Sequence, residues 1–206
     1  MTDAIHLPPR TRKPRGQGAS RRGEILEAAT RLFLDEGVAQ ATMRRIAAAV
    51  GVSPTALYVY FPDKDAILQA IAEAWFAELL EALEASQRER DSVADRFRAG
   101  LRAYVDFGLA RPDGYRLTFL SKAVSPAGCD DIAAADHSFA ILQRSVEDMM
   151  AAGEFRRQTS SECAAEAIWA CLHGVTALLM DQAAHVETPP AVLIDHVIDM
   201  IVAGHR

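Results

Sequence analysis

No stretch of this chain alternates apolar and polar residues over the length of a strand, and no segment repeats another. Both absences argue against a β-sheet. Phosphate-cradling glycine loops are missing too, because the glycines are scattered. The histidines stand at positions 6, 137, 173, 185, 196 and 205, without metal-ligand spacing and without a nucleophile–base pair. An enzyme, a metal centre and a cofactor are therefore not expected. Cysteine is scarce: Cys129, Cys163 and Cys171 are odd in number, widely spaced and lack a C-x-x-C pair, which argues against disulfides and zinc. Cys163 and Cys171 lie two turns apart on one predicted helix and are expected as buried thiols. A redox sensor is the alternative, but nothing nearby marks an acidified thiol. Long apolar runs are absent, none approaching the roughly 20 residues that cross a bilayer. The opening MTDAIHLPPRTRKPRGQG is basic and Pro/Gly-rich, without the apolar centre of a secretory signal. No membrane partner and a cytoplasmic location are the expectations.

Positive charge is also in short supply, with a net charge of −6. Its distribution matters more than its sum. Residues 1–64 hold ten Lys/Arg against six Asp/Glu, and residues 65–206 hold twelve against twenty-two. The N-terminal third is thus a basic patch in front of an acidic body, which suits a polyanionic partner.

Half of the 206 residues are hydrophobic, enough for a small domain plus a larger one. Helical periodicity runs through them. Ile25, Ala29, Leu32 and Phe33 form one stripe of a helix predicted over 20–36, closed by Gly37. A helix from Asp63 to about Arg90 carries Leu68, Ile71, Trp75, Phe76, Leu79 and Leu83. Further helices are predicted over 92–110, 112–122, 129–153, 160–185 and 189–203. Their breaks are Arg111-Pro112, Ser125-Pro126-Ala127-Gly128, Gly153 and Thr188-Pro189-Pro190. The chain reads as all-α. Residues 1–19 read as a disordered basic arm, 20–68 as a small N-terminal helical unit, and 69–206 as a larger helical body. The arm either tracks phosphates or the minor groove, or merely solubilises.

Residues 42–64, TMRRIAAAVGVSPTALYVYFPDK, carry the most information. Thr42 is an N-cap, followed by Ile46, Ala47 and Val50 on one face. Gly51 supplies the positive φ of a tight turn, and Val52 plugs it. Ser53 is a second N-cap and Pro54 takes N1, where its missing N–H costs nothing. Thr55–Phe61 is then a short helix anchored by Leu57 and Phe61, Pro62 stops it, and Asp63 caps the next. Two helices joined by a tight turn are the geometry that sets a helix in the major groove. Arg44, Pro54, Thr55, Tyr58 and Tyr60 have no evident packing role, and Lys64 can reach a phosphate. With the two caps, the expected DNA-facing set is Thr42, Arg44, Ser53, Pro54, Thr55, Tyr58, Tyr60 and Lys64.

The run T-x-x-x-I-A-x-x-x-G-V-S-x-x-x-L-Y-x-Y-F-x-x-K-x-x-L resembles the DNA-binding segment of the tetracycline-repressor (TetR) family. It is carried by Thr42, Ile46, Ala47, Gly51, Val52, Ser53, Leu57, Tyr58, Tyr60, Phe61, Lys64 and Ile67-Leu68. The resemblance covers about residues 20–68. It implies an all-helical homodimer in which residues 20–68 are the helix-turn-helix, operator-binding domain and residues 69–206 the small-molecule ligand-binding and dimerisation domain. It also implies a base contact from Arg44, and groove and phosphate contacts from Thr55, Tyr58, Tyr60 and Lys64. One departure is Ala56, where many members carry threonine, so a hydroxyl contact is lost there. Trp169, His173 and Gly174 are similar to the W-x-x-x-H-G signature of one C-terminal subgroup, and RPDGYRLTF (111–119) agrees with it.

The last two helices are apolar over much of their surface and need cover on more than one side. Ile168, Leu172, Val175, Leu179, Val197, Ile198 and Ile201 are the expected dimer interface, pairing as a four-helix bundle. Gly174 in mid-helix suggests the close approach of a neighbouring helix. Phe97, Tyr104, Phe107, Tyr115, Phe119, His137, Trp169 and His173 are the candidate pocket residues, any of which also serves as core. His173 reads as a structural, hydrogen-bonded histidine or as a pocket group. No cationic cluster stands out, so the expected effector is apolar or weakly polar. The functional expectation is a ligand-responsive repressor that binds a palindromic double-stranded operator as a dimer. A ligand-dependent activator of the same fold and a non-specific architectural DNA-binding protein are the alternatives, the latter marked by binding that collapses with salt.

Overall fold

The computed structural model describes residues 18–88, 90–120, 133–156, 159–181 and 185–205. Among them are α1 (Gly18–Glu36), α2 (Met43–Val50), α3 (Pro54–Tyr58), α4 (Lys64–Gln87), α5 (Val93–Ala110) and α6 (Pro112–Tyr115). A π-helical turn (Arg116–Leu120) follows, then α7 (Ala133–Ala151), α8 (Ser161–Asp181) and α9 (Pro190–Gly204). The described residues contain no strand. Residues 1–17 of the expected arm, Cys129 and the Ser125–Gly128 break lie outside the described residues, while Gly18 and Ala19, expected in the arm, already belong to α1.

Local chemistry sets the helix starts. The Thr42, Ser53, Asp63 and Ser92 side chains accept from the backbone N–H groups of Arg45, Ala56, Ala66 and Asp95 at 3.3, 3.1, 2.8 and 2.9 Å. Each such cap is worth about 1 kcal/mol over alanine. Gly51 closes α2 at φ 75°, donating to the Ala47 and Ala48 carbonyls. That left-handed conformation is the turn of the helix-turn-helix.

Two cores result. Ile25, Phe33, Ile46, Leu57, Phe61, Ile67 and Ile71 fill the N-terminal one. Trp75, Leu79, Phe97, Val146, Met149, Ile168 and Ile198 belong to the larger C-terminal one. The handover occurs inside α4, between Ile71 and Ala72, so one continuous helix is rooted in both. α4 packs along α5, α7 lies against α4, α5 and α8, and α9 closes on α5 and α8.

Several expectations need correction. The helix expected over 55–61 ends at Tyr58; Tyr60 and Phe61 then donate to the Leu57 carbonyl at 2.9 and 3.1 Å, making a turn. The regular helix expected from Pro112 changes to π-helix at Arg116. Gly174 has open space around it within the chain. The close approaches fall elsewhere: a Cβ on Gly108 would meet Thr176 Cγ2 at 2.8 Å, and one on Gly114 would overlap the Trp75 indole. Cys163 and Cys171 are exposed, not buried, because both sit on the outward side of α8. That helix, 21 residues long with an 18-residue window of mean hydropathy 1.5, is also long and apolar enough by composition to cross a membrane. In the sequence its apolar run is broken near the start by Glu162 and Glu166. A core helix passes the same test, and here Ala164, Ala165, Ile168, Leu172, Val175 and Leu179 pack inward.

Candidate nucleic-acid interface and effector cavity

The outward face of α2 and α3 presents Arg44, Pro54, Thr55 and Tyr58 to solvent, with Tyr58 53% exposed. Thr42 and Ser53 are exposed as well, their oxygens engaged as caps. Accepting a backbone N–H leaves each hydroxyl proton free to donate to a phosphate. Val59, absent from the expected set, is 80% exposed beside Tyr58. An apolar β-branched side chain there suits a thymine methyl. The sequence conceals it because a helix expected over 55–61 takes Val59 into its body, whereas the helix ends at Tyr58.

Two members of the set have additional partners. The Tyr60 ring is half-buried against the N-terminal core, so it does have a packing role. Lys64 donates from Nζ to the Val38 carbonyl at 3.0 Å, tying α4 to the α1–α2 connection. An ammonium has three donors, so two remain for a phosphate. Around the face, Arg45 pairs with Glu36 and the Arg22 guanidinium lies 4.4 Å from the Phe61 ring centroid. Both cations brace the module while remaining partly in water.

Behind this module, α4, α5, the π-helical turn, α7 and α8 enclose a cavity of about 420 Å³. Of the expected pocket residues, Phe97, Tyr104, Phe119 and Trp169 line it. Phe76, Leu79, Leu83, Phe139 and Leu142 line it also, and nothing in the sequence separated them from ordinary core. Phe107, Tyr115 and His173 stand behind the wall, and His137 is exposed away from it. Phe107 instead meets Trp75 edge-on at 5.2 Å between centroids.

Tyr115 and His173 form a polar pair in this second layer. The buried Tyr115 hydroxyl lies 2.6 Å from His173 Nδ1. Burial holds the imidazole pKa below its ordinary value and pushes the phenol pKa up. Near neutrality a neutral phenol thus donates to a neutral imidazole. The Trp169 indole, on the cavity wall, donates to the Tyr104 hydroxyl at 3.2 Å. The RPDGYRLTF and W-x-x-x-H-G segments, 58 residues apart at this bond, therefore meet at one point.

Residues 25–71 match the family described as bacterial regulatory proteins, tetR family, and residues 97–201 match the tetracyclin repressor-like C-terminal domain. The chain belongs to the TetR family. Its N-terminal module is the helix-turn-helix domain of TetR regulators, and the all-helical body is their C-terminal domain. Among its relatives, the HTH-type transcriptional activator FasR of Mycolicibacterium smegmatis is 34% identical over 99 residues, 48% of this chain and 45% of FasR. The nucleoid occlusion factor SlmA of Actinobacillus pleuropneumoniae is 31% identical over 112 residues, 54% of this chain and 55% of SlmA. The chain spans about half the length of these curated relatives. A solved structure of a protein of unknown function from Rhodococcus sp. RHA1 superposes with a TM-score of 0.78 at 28% identity, covering 94% of this chain and 99% of that one.

The seven residues expected at a TetR dimer interface are placed differently from that expectation. Ile168, Leu172, Val175, Leu179, Ile198 and Ile201 are buried within a single chain, and Val197 is half-buried. The outward stripe of α8 is instead Cys163, Ala167, Ala170, Cys171, Gly174 and Leu178. α9 presents Val192, His196, Met200 and Ala203. When a helix is apolar all round, periodicity finds its stripes but does not say which one faces the core.

Proposed function

We propose that this chain is an effector-responsive, sequence-specific DNA-binding regulator that works as a homodimer in the cytoplasm and represses transcription. The observation that carries the reading is a shared segment. One π-helical turn places Leu117 in the core of the DNA-binding module and Phe119 on the cavity wall. α4 spans the same two regions. Anything that fills the cavity presses on elements rooted in the helix-turn-helix.

One α3 reads few base pairs, so two copies related by a two-fold axis are needed for an extended site. The outward small-residue stripe of α8 with the apolar side chains of α9 supplies a self-complementary face for this. An effector that favours one spacing of the two α3 helices shifts DNA affinity by its differential affinity for the two poses. The effector is apolar in its greater part, matching the wall. Activation is the second reading, favoured by the similarity to a relative named as an activator.

The test uses a fluorescent duplex carrying a selected site. Compounds that change the tryptophan emission of the parent but not of Trp169→Phe, and so occupy the cavity, are titrated into the complex. The reading expects duplex affinity to change with occupancy. Unchanged affinity at full occupancy contradicts effector control, and the sign of the change separates repressor from activator.

A further inference from the structure

The charge of the cavity's wall says more about its ligand than its size does. A volume of about 420 Å³ fits many small molecules. The wall carries six aromatic rings, those of Phe76, Phe97, Tyr104, Phe119, Phe139 and Trp169. Its charged members are Asp136 and Glu166, and no Lys, Arg or His contributes among the described residues.

Among the described residues these two carboxylates are also unengaged. Three other acids of α8 and α9 have guanidinium partners: Asp181 with Arg116, Asp195 with Arg102 and Asp199 with Arg98. Asp136 and Glu166 make no ion pair or hydrogen bond among the described residues. Asp136 lies in the first turn of α7, where a negative charge favours the helix. Glu166 has no such explanation, being in the body of α8, one turn before Trp169. Trp169 itself is 38% exposed, large and apolar at the mouth, with Phe119 and Phe139 at 6.2 and 6.3 Å between centroids.

We propose that the cavity binds a lipophilic cation, whose positive charge sits at the mouth between Asp136, Glu166 and the faces of the surrounding rings. The inference rests on reading the cavity as the effector site. Aromatic faces attract a desolvated cation, and carboxylates at the rim add Coulombic attraction. A carboxylate, phosphate or sulfate group on the ligand would face two like charges with no basic side chain among the described residues to pair it. Fatty acids and acyl phosphates are thereby disfavoured relative to amines, quaternary ammonium and phosphonium compounds.

The experiment uses the full chain and three probes: tetraphenylphosphonium, its anionic isostere tetraphenylborate, and the neutral fluorophore N-phenyl-1-naphthylamine. Titration calorimetry should show the phosphonium binding about tenfold or more tighter than the borate. The double variant Asp136→Asn/Glu166→Gln, both sites being exposed, should fold normally. It should lose about tenfold in phosphonium affinity and keep its affinity for the naphthylamine. Equal binding of phosphonium and borate, or undiminished phosphonium binding by the double variant, overturns the inference. If the naphthylamine still binds in those cases, the effector cavity stands without its charge preference. Failure of the naphthylamine to bind overturns both readings.

Discussion

Leu117 and Phe119 stand two residues apart on one π-helical turn and belong to different cores. Leu117 is buried among the side chains of the DNA-binding module, and Phe119 meets Trp75, Phe76, Tyr115 and His173 in the C-terminal domain. A π-turn is wider than an α-turn, so it redirects neighbouring side chains without a break in the helix. Truncating the two should therefore have different consequences. Leu117→Ala should cost about 2–5 kcal/mol of stability and loosen the DNA-binding module. Phe119→Ala should leave DNA affinity of the effector-free protein near that of the parent and weaken the response to a cavity ligand. Thermal melts and duplex titrations of both variants separate these outcomes; identical behaviour would remove the turn from the coupling.

The contact between Gly114 and Trp75 yields a sharper packing prediction. A methyl group on Gly114 would overlap the indole, and the indole is surrounded by Phe76, Phe107, Tyr115 and Phe119 with no room to retreat. Gly114→Ala should destabilise by about 1–3 kcal/mol, as overpacking of a dense core does. Gly23→Ala, where nothing lies nearby, is the control and should be neutral or slightly stabilising. A Gly114→Ala melt equal to the parent's would show that Trp75 can move.

The Tyr115–His173 pair should make stability depend on pH. Burial lowers the folded-state pKa of His173 below that of the unfolded chain. The unfolded state then binds the proton first, so stability is full above about pH 6.5 and falls as pH drops through the window below it. Thermal midpoints at pH 7.5 and 5.5 should differ more for the parent than for His173→Gln. Tyr115→Phe, which removes the donor, should cost about 1 kcal/mol near neutrality. An equal pH response in parent and His173→Gln would place the titration elsewhere.

Much of this was legible in the sequence, for physical reasons. Caps, the turn glycine and Pro54 are local signals, so Thr42, Gly51, Ser53 and Asp63 took the structural roles their chemistry dictates. The α2–turn–α3 module followed directly. Tertiary choices were not legible. Ile168 and Leu172 looked the same as an interface stripe would, because α8 is apolar on both sides and the sequence does not mark which side meets α5 and α7. Phe107 and Phe139 are likewise indistinguishable in sequence, yet one packs behind the wall and the other lines the cavity. The switch to π-helix at Arg116 has no sequence mark, and with it the division of labour between Leu117 and Phe119 was hidden.

Gly174 tests the dimer. It has open space within its own chain and sits mid-stripe on the outward face of α8. Gly174→Arg should leave the fold intact, convert the dimer to monomer in sedimentation, and abolish high-affinity DNA binding. A dimeric Gly174→Arg protein would move the interface to another face.

The central claim is that two copies of α3 read a two-fold DNA site. Selection of bound fragments from a random duplex pool at about physiological salt tests it most directly, since non-specific phosphate binding weakens steeply as salt rises. The account predicts an inverted repeat whose enrichment disappears for Tyr58→Ala and loses one base preference per half-site for Arg44→Ala. An absence of any consensus, with parent and Tyr58→Ala binding alike, would contradict it.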